Sequence, residues 1–198
     1  MQILMIRHGK TSGNAHMRYI GRTDEPLSQA GISQLQALGQ DPLVRSVFVS
    51  PLKRTCQTAS LLFPNARQII INDLQEMDFG DFEGRSFREM THDTAYRAWV
   101  DSDCLAPCPG GESREVFSQR VCGAFSRILS QAQARKEQRI VLVVHGGTIM
   151  AIMEHFALPR KDFYTYSVKN GTGYICDTAA DSQGSFVLTD IIPWERHL

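Results

Sequence analysis

The chain has 198 residues, 42% of them hydrophobic, with 21 lysines and arginines balanced by 21 aspartates and glutamates. That length suffices to bury a core within a single domain spanning residues 1–198, and the neutral total excludes the bulk basic character of a nucleic-acid or membrane-surface binder while leaving room for a local cationic pocket. No apolar run approaches the ~20 residues that cross a bilayer, and the N-terminus enters an apolar stretch without a basic segment or cleavage site, so no secretory signal is expected.

In chain order, short apolar runs predict strands at residues 2–6, 46–49, 68–71, 140–144, 174–176 and 186–191. The run Ile140-Val141-Leu142-Val143-Val144 is apolar throughout, as in a strand buried on both faces. Between these runs lie helical segments. Ser28 can cap a helix through residue 38, with Ile32, Leu35 and Leu38 on one face. Residues 52–62 read as a second helix, 112–134 as a third with Val116, Val121, Phe125, Ile128 and Leu129 on its apolar side, and 147–156 as a fourth. Strands alternating with helices predict a three-layer α/β sandwich, a mostly parallel central sheet flanked by helices. Residues 79–111, with Gly80, Gly84, Pro107, Pro109, Gly110 and Gly111, break this rhythm and read as an inserted excursion over the active site, in the manner of a lid or substrate loop. There is no internal repeat or linker.

Four chemistry-bearing signals fall at strand ends: Arg7-His8-Gly9 after the first, Ser50-Pro51-Leu52-Lys53-Arg54-Thr55 after the second, Glu76 soon after the third, and His145-Gly146-Gly147 after the fourth. Ligands of open α/β sheets bind beyond the carboxyl ends of the strands, so these four can meet in one pocket. Phosphoryl transfer accounts for the residue types. An imidazole, His8, can attack phosphorus if its other ring N–H is held by an acceptor. Arg7 and Arg54 can grip the equatorial oxygens with planar forks, and His145 can donate a further bond. The glycines Gly146 and Gly147 allow backbone to approach the ligand closely. Glu76 is the candidate acid for the leaving group, its pKa raised by burial or by neighbouring carboxylates such as Asp78 and Glu83. No metal or other cofactor is needed, because the arginines and His145 supply the positive charge. His16, His92, His155 and His197 read as structural or exposed. Five irregularly placed cysteines are expected as reduced thiols of a cytoplasmic protein, and Cys104 and Cys108 lack the further ligands of a zinc site.

Taken with Thr11, Asn14, the run from Gly21 to Ser28, Glu76-Met77-Asp78-Phe79-Gly80-Asp81-Phe82-Glu83-Gly84 and Pro109-Gly110-Gly111-Glu112-Ser113, these motifs resemble the histidine phosphatase, or phosphoglycerate-mutase-like, superfamily over nearly the whole chain. The resemblance implies that His8 becomes a phosphohistidine, with Arg7, Arg54 and His145 around the phosphoryl group. It also implies that Glu76 protonates the leaving group and later helps activate water, and that Asn14 and Thr11 touch the bound phosphate. Within the superfamily the chain looks like the phosphatases acting on α-ribazole phosphate in the cobalamin pathway, and equally like broad small-molecule phosphatases. A phosphomonoester hydrolase for a small phosphorylated metabolite is therefore expected, acting as monomer or homodimer without nucleic-acid or membrane partners. The alternatives are a phosphoglycerate mutase and a non-catalytic phosphate-ester-binding module. Two departures stand out: Lys10 where the family usually has Glu or Gln, and Gly13 where Trp is common. Lys10 is expected to favour an anionic leaving group or to pair with Glu76 or Asp78, and Gly13 to open the pocket mouth to a bulkier substrate.

Overall fold

The structure, a computed structural model, describes residues 1–195; His197 lies outside them. The elements are β1 (Gln2–Arg7), α1 (Ser12–Ala15), α2 (Gln29–Ala37), β2 (Ser46–Val49), α3 (Lys53–Leu62), β3 (Arg67–Ile70), α4 (Thr94–Asp101), α5 (Arg114–Ala134), β4 (Arg139–Val144), α6 (Gly146–Phe156), β5 (Gly173–Ala180) and β6 (Phe186–Trp194). The strands form one sheet in the order β3-β2-β4-β1-β5-β6. The first four run parallel, and β5 and β6 add antiparallel to β1 and to each other.

The central strands β1 and β4 are apolar at consecutive positions because both their faces are covered. Ile3, Met5, Ile140, Leu142 and Val144 face one cluster that includes Phe117, Val121 and Phe125 of α5 with Ile149, Ile152 and Met153 of α6. Leu4, Ile6, Val141 and Val143 face the other, with Leu35 of α2 and Ala59 and Leu62 of α3. The period-two alternation of β-strand side chains thus divides the core into the two halves of a three-layer α/β sandwich.

Several boundaries differ from expectation. The strands β5 and β6 extend well past residues 174–176 and 186–191, because a two-stranded antiparallel ribbon pairs Thr178 with Leu188 and Ala179 with Val187 without needing continuous apolar sequence. The cap of α5 is Ser113, whose side chain accepts from the Val116 amide, so Phe117 rather than Val116 turns inward and Val116 is exposed. Along α2 only Gly31 and Leu35 are fully buried, while Ile32 and Leu38 pack at the cluster's edge.

The 79–111 excursion contains α4, capped by Asp93, whose carboxylate accepts from the Ala95 and Tyr96 amides. Its rings Phe79, Phe82, Tyr96 and Trp99 pack with Tyr19 in edge-on and tilted contacts, and the Tyr19 and Tyr96 hydroxyls lie 2.8 Å apart. Among the described residues no helix is long and apolar enough to cross a membrane.

Candidate active site

The parallel strands β1, β2 and β4 end on the same side of the sheet. Arg7 pairs in register with Val144, and Val49 with Val143, which sets His8, His145 and Ser50 side by side at the strand ends. The His8 amide donates to Val144 O at 2.9 Å. Glu76 arrives from β3 through a 3-10 turn over Asn72–Leu74. All four strand-end signals therefore converge, as expected for an open sheet.

The His8 side chain is buried, with Nδ1 2.7 Å from Gly9 O. A carbonyl can only accept, so Nδ1 carries the hydrogen and Nε2 presents its lone pair. Burial, then the charges of Arg54 and Arg7, push the imidazole well below its ordinary pKa and keep it neutral. Its backbone is tied on two sides: the Gly9 amide donates to Thr58 Oγ1 at 3.0 Å, and Asn170 Nδ2 donates to His8 O at 3.1 Å.

The rings of His8 and His145 meet edge to face with centroids 5.2 Å apart. Arg54 Nε donates to His145 Nδ1 at 3.3 Å, which makes Nδ1 the acceptor. Nε2, 2.8 Å from Ser50 Oγ, then carries the hydrogen and donates to that oxygen, and Ser50 Oγ in turn lies 2.9 Å from Thr55 Oγ1. Burial, followed by the charge of Arg54, also depresses the His145 pKa, so His145 is neutral with both ring nitrogens engaged, in place of the positive charge and free donor expected of it.

The fork of Arg54 departs from expectation. The side chain is wholly buried, with Nη1 on Thr23 O and Nη2 on Gly21 O, both at 2.7 Å. The cause is Glu83, which gathers the amides of Gly21 and Arg22 at 2.9 and 2.8 Å and turns the Gly21 carbonyl toward Arg54. Arg54 thus acts on the site through its charge and through His145, and the guanidinium groups that line the pocket are those of Arg7, Arg18 and Arg114. Arg7 Nη1 donates to Val168 O at 2.8 Å, while its buried Nε has no partner among the described residues.

Glu76 is 9% exposed and accepts from the Gly147 amide at 2.9 Å and the Met77 amide at 3.1 Å. Burial raises its pKa against the opposing pull of those amides and of Arg7 and Arg54. Of the two expected causes burial is the one that acts, and not the carboxylates of Asp78 and Glu83, which bind the Gly80 amide and the 21–23 loop. A Cβ at Gly147 would stand 2.2 Å from Glu76 Oε1, so only glycine admits this approach. Behind Glu76, Arg120 donates to the carbonyls of Asp73, Gln75 and Glu76, each at 2.9 Å, and forms a close pair with Glu112.

Asn14 lines the pocket and its Oδ1 accepts from the Thr11 amide and from Asn170 Nδ2, which leaves its own Nδ2 for an anion. Thr11, expected to touch phosphate, is fully buried; its hydroxyl accepts from the Asn14 amide in a reciprocal capping box and so orients Asn14 instead. Gly146 lines the pocket beneath the Arg7 guanidinium. Gly13 does not open the pocket mouth: it is buried, its amide donates to Glu25, and a Cβ there would meet Ile20 Cγ1 at 2.4 Å. Nor does Lys10 pair with Glu76 or Asp78, which spend their carboxylates on backbone amides and, for Asp78, on Arg22. His16, His92 and His155 are exposed.

The resulting cavity of 520 Å³ is lined by the polar groups of Arg7, Asn14, Arg18, Glu76 and Arg114, with the rings of Tyr19, Phe79, Trp99 and Phe163 among its walls. The supporting roles of Ser50, Thr58, Arg120 and Asn170 escape sequence reading. For Asn170 a local signal existed in Asn170-Gly171, a turn pair ahead of a strand; for Arg120, on a helix face, there was none.

Comparison with known proteins bears on this geometry. Residues 3–189 match the family described as the histidine phosphatase superfamily, branch 1. The adenosylcobalamin/alpha-ribazole phosphatase of Salmonella typhimurium is 30% identical over 202 residues, covering 97% of this chain and 96% of the relative. The metal-independent phosphoserine phosphatase of Arabidopsis thaliana is 31% identical over 161 residues, 76% of this chain and 66% of that one. The crystal structure of the alpha-ribazole phosphatase from Shigella flexneri superposes with a TM-score of 0.79 at 30% identity, covering 95% of this chain and 94% of the other.

Proposed function

The chain belongs to the histidine phosphatase superfamily, and from that premise we propose that it hydrolyses the phosphomonoester of a small metabolite through a phosphohistidine on His8. The observation that carries this reading is the state of His8: neutral, buried among cations, Nδ1–H held by Gly9 O and Nε2 free to attack. Nε2 displaces the ester oxygen at phosphorus, and the leaving alkoxide takes a proton from Glu76, whose carboxyl burial pushes above its ordinary pKa. Arg7 and the Asn14 amide face the phosphoryl oxygens, and the Gly147 amide holds Glu76 in place. The Glu76 carboxylate then accepts a proton from the water that attacks phospho-His8, releasing inorganic phosphate and restoring the acid.

Among candidate substrates, α-ribazole phosphate is supported by the names of similar phosphatases and by the aromatic walls, which suit a flat ring. The five free thiols favour a reducing, cytoplasmic setting. The test is incubation with a labelled phosphomonoester followed by an acid quench in one arm and a base quench in another. Phosphate that stays on the protein in base and is lost in acid, and that vanishes in His8→Ala together with turnover, is the expected outcome. Hydrolysis that survives His8→Ala would reject the mechanism. With phosphoglycerate, free phosphate marks a hydrolase, whereas isomer without phosphate marks a mutase.

A further inference from the structure

Beside the aromatic cavity, and sharing Arg7, Asn14, Arg18 and Ser167 with it, runs a second groove of 770 Å³. Its lining includes Lys10, Arg18, Lys169 and Gln34 and contains no carboxylate. Arg18 is partly compensated by Glu89 at 3.5 Å. Lys10 and Lys169 form no ion pair among the described residues. Chain-wide neutrality makes two uncompensated cations beside a phosphate pocket a local feature with a direction.

Both lysines stand on backbone that is fixed to the nucleophile. Lys10 lies two residues beyond His8, and its carbonyl accepts from the Ser28 amide at 2.9 Å and the Ser28 hydroxyl at 3.1 Å. Lys169 lies between Val168, whose carbonyl holds Arg7, and Asn170, whose side chain holds His8 O and Asn14. The Lys169 carbonyl accepts from both the amide and the hydroxyl of Thr172. Each ammonium is mobile on its stem, but its origin is set relative to His8.

We propose that this groove is an anion subsite that extends the enzyme's activity to phosphomonoesters bearing a second anionic group, a carboxylate or a further phosphate, with Lys10 and Lys169 as the residues that select them. The proposal rests on the phosphatase reading above and goes beyond it. Substrates whose body is a neutral ring use the aromatic side of the cavity; two-anion esters place the scissile phosphate at His8 and the second anion between the lysines. No bond is made or broken in the groove itself. Exposed charges of this kind each contribute a few fold to binding, so together they are worth about tenfold, declining with salt.

The experiment pairs esters that differ only in the second anion: glycerol phosphate against phosphoglycerate for a carboxylate, and fructose monophosphate against fructose bisphosphate for a phosphate. Phosphate release is measured at low salt for the wild type and for the double variant Lys10→Gln/Lys169→Gln. The wild type is expected to favour a two-anion ester by about tenfold in kcat/KM, mainly through KM, and the double variant to reduce that ratio to about twofold, with Lys10→Arg/Lys169→Arg restoring it. A preference in only one pair assigns the subsite to that anion. A wild-type ratio near one in both pairs, or a ratio that persists in the double variant, would overturn the proposal. Absence of phosphate release from every ester, nitrophenyl phosphate included, would instead overturn the phosphatase reading.

Discussion

Replacing Glu76 with glutamine isolates the proton the leaving group needs. The substitution keeps the side chain's size, and the glutamine oxygen can still accept from the Gly147 amide, so the contact that closes the pocket at Gly147 survives while the Met77 amide loses its acceptor. What disappears is the acidic hydrogen and, in the second step, the carboxylate that takes a proton from water. General acid catalysis contributes about 10²–10⁴ in rate, or about 3–5 kcal/mol of barrier at roughly 1.4 kcal/mol per tenfold. An alkyl phosphate, whose alkoxide leaves poorly, should lose that whole factor in kcat/KM. Nitrophenolate leaves without a proton, so nitrophenyl phosphate should lose less than about tenfold in kcat/KM, which reports only steps up to phosphoryl transfer. The assay is steady-state phosphate release from both esters by wild type and variant, accompanied by a thermal melt to confirm that the variant is folded. Equal losses on the two substrates would refute the assignment of Glu76 as the acid.

Two further outcomes follow from the buried groups. Ser50→Ala leaves the Nε2–H of His145 without its acceptor in a fully buried setting, which should cost about 1–3 kcal/mol of stability and lower kcat with it; denaturant unfolding and phosphate release check both, and an unchanged midpoint would reject the Ser50–His145 bond. His145 has a depressed pKa in the folded chain, so below about pH 6.5 the unfolded chain binds the extra proton and stability falls as the pH drops, by up to about 1.4 kcal/mol per pH unit. Glu76 acts oppositely: its raised pKa adds stability that is present at low pH and lost as pH rises through the folded value. Unfolding free energies measured from pH 7 downward should therefore decline less steeply in His145→Gln than in wild type, and parallel slopes would contradict a neutral buried His145.

Much of this site was legible because its parts are local in sequence. Arg7-His8-Gly9 and His145-Gly146-Gly147 each follow a strand whose apolar run marks it as central, and parallel strands end on one side of the sheet. Strand position alone therefore brought His8, His145 and the Arg54 helix together. The inserted character of residues 79–111 was equally visible, because its glycines and prolines interrupt the alternation of strands and helices.

Orientation within the site was not legible, since it depends on groups far apart in the chain. Arg54 reads as a phosphate fork until Glu83, 29 residues on, is seen turning the Gly21 carbonyl onto it. Thr11 reads as a phosphate contact until its burial beneath Asn14 is known. Gly13 reads as open space, yet Ile20 and Glu25 fill the volume a side chain would need.

Residue types and strand-end spacing thus determined by themselves which chemistry this chain can perform, because reactivity belongs to side chains and their place on the sheet follows from periodicity. Tertiary structure alone decided which donors line the pocket, why the Glu76 pKa is raised, and that Lys10 and Lys169 line one groove without a carboxylate. Those outcomes turn on burial and on contacts between distant segments, and neither quantity is local to the sequence.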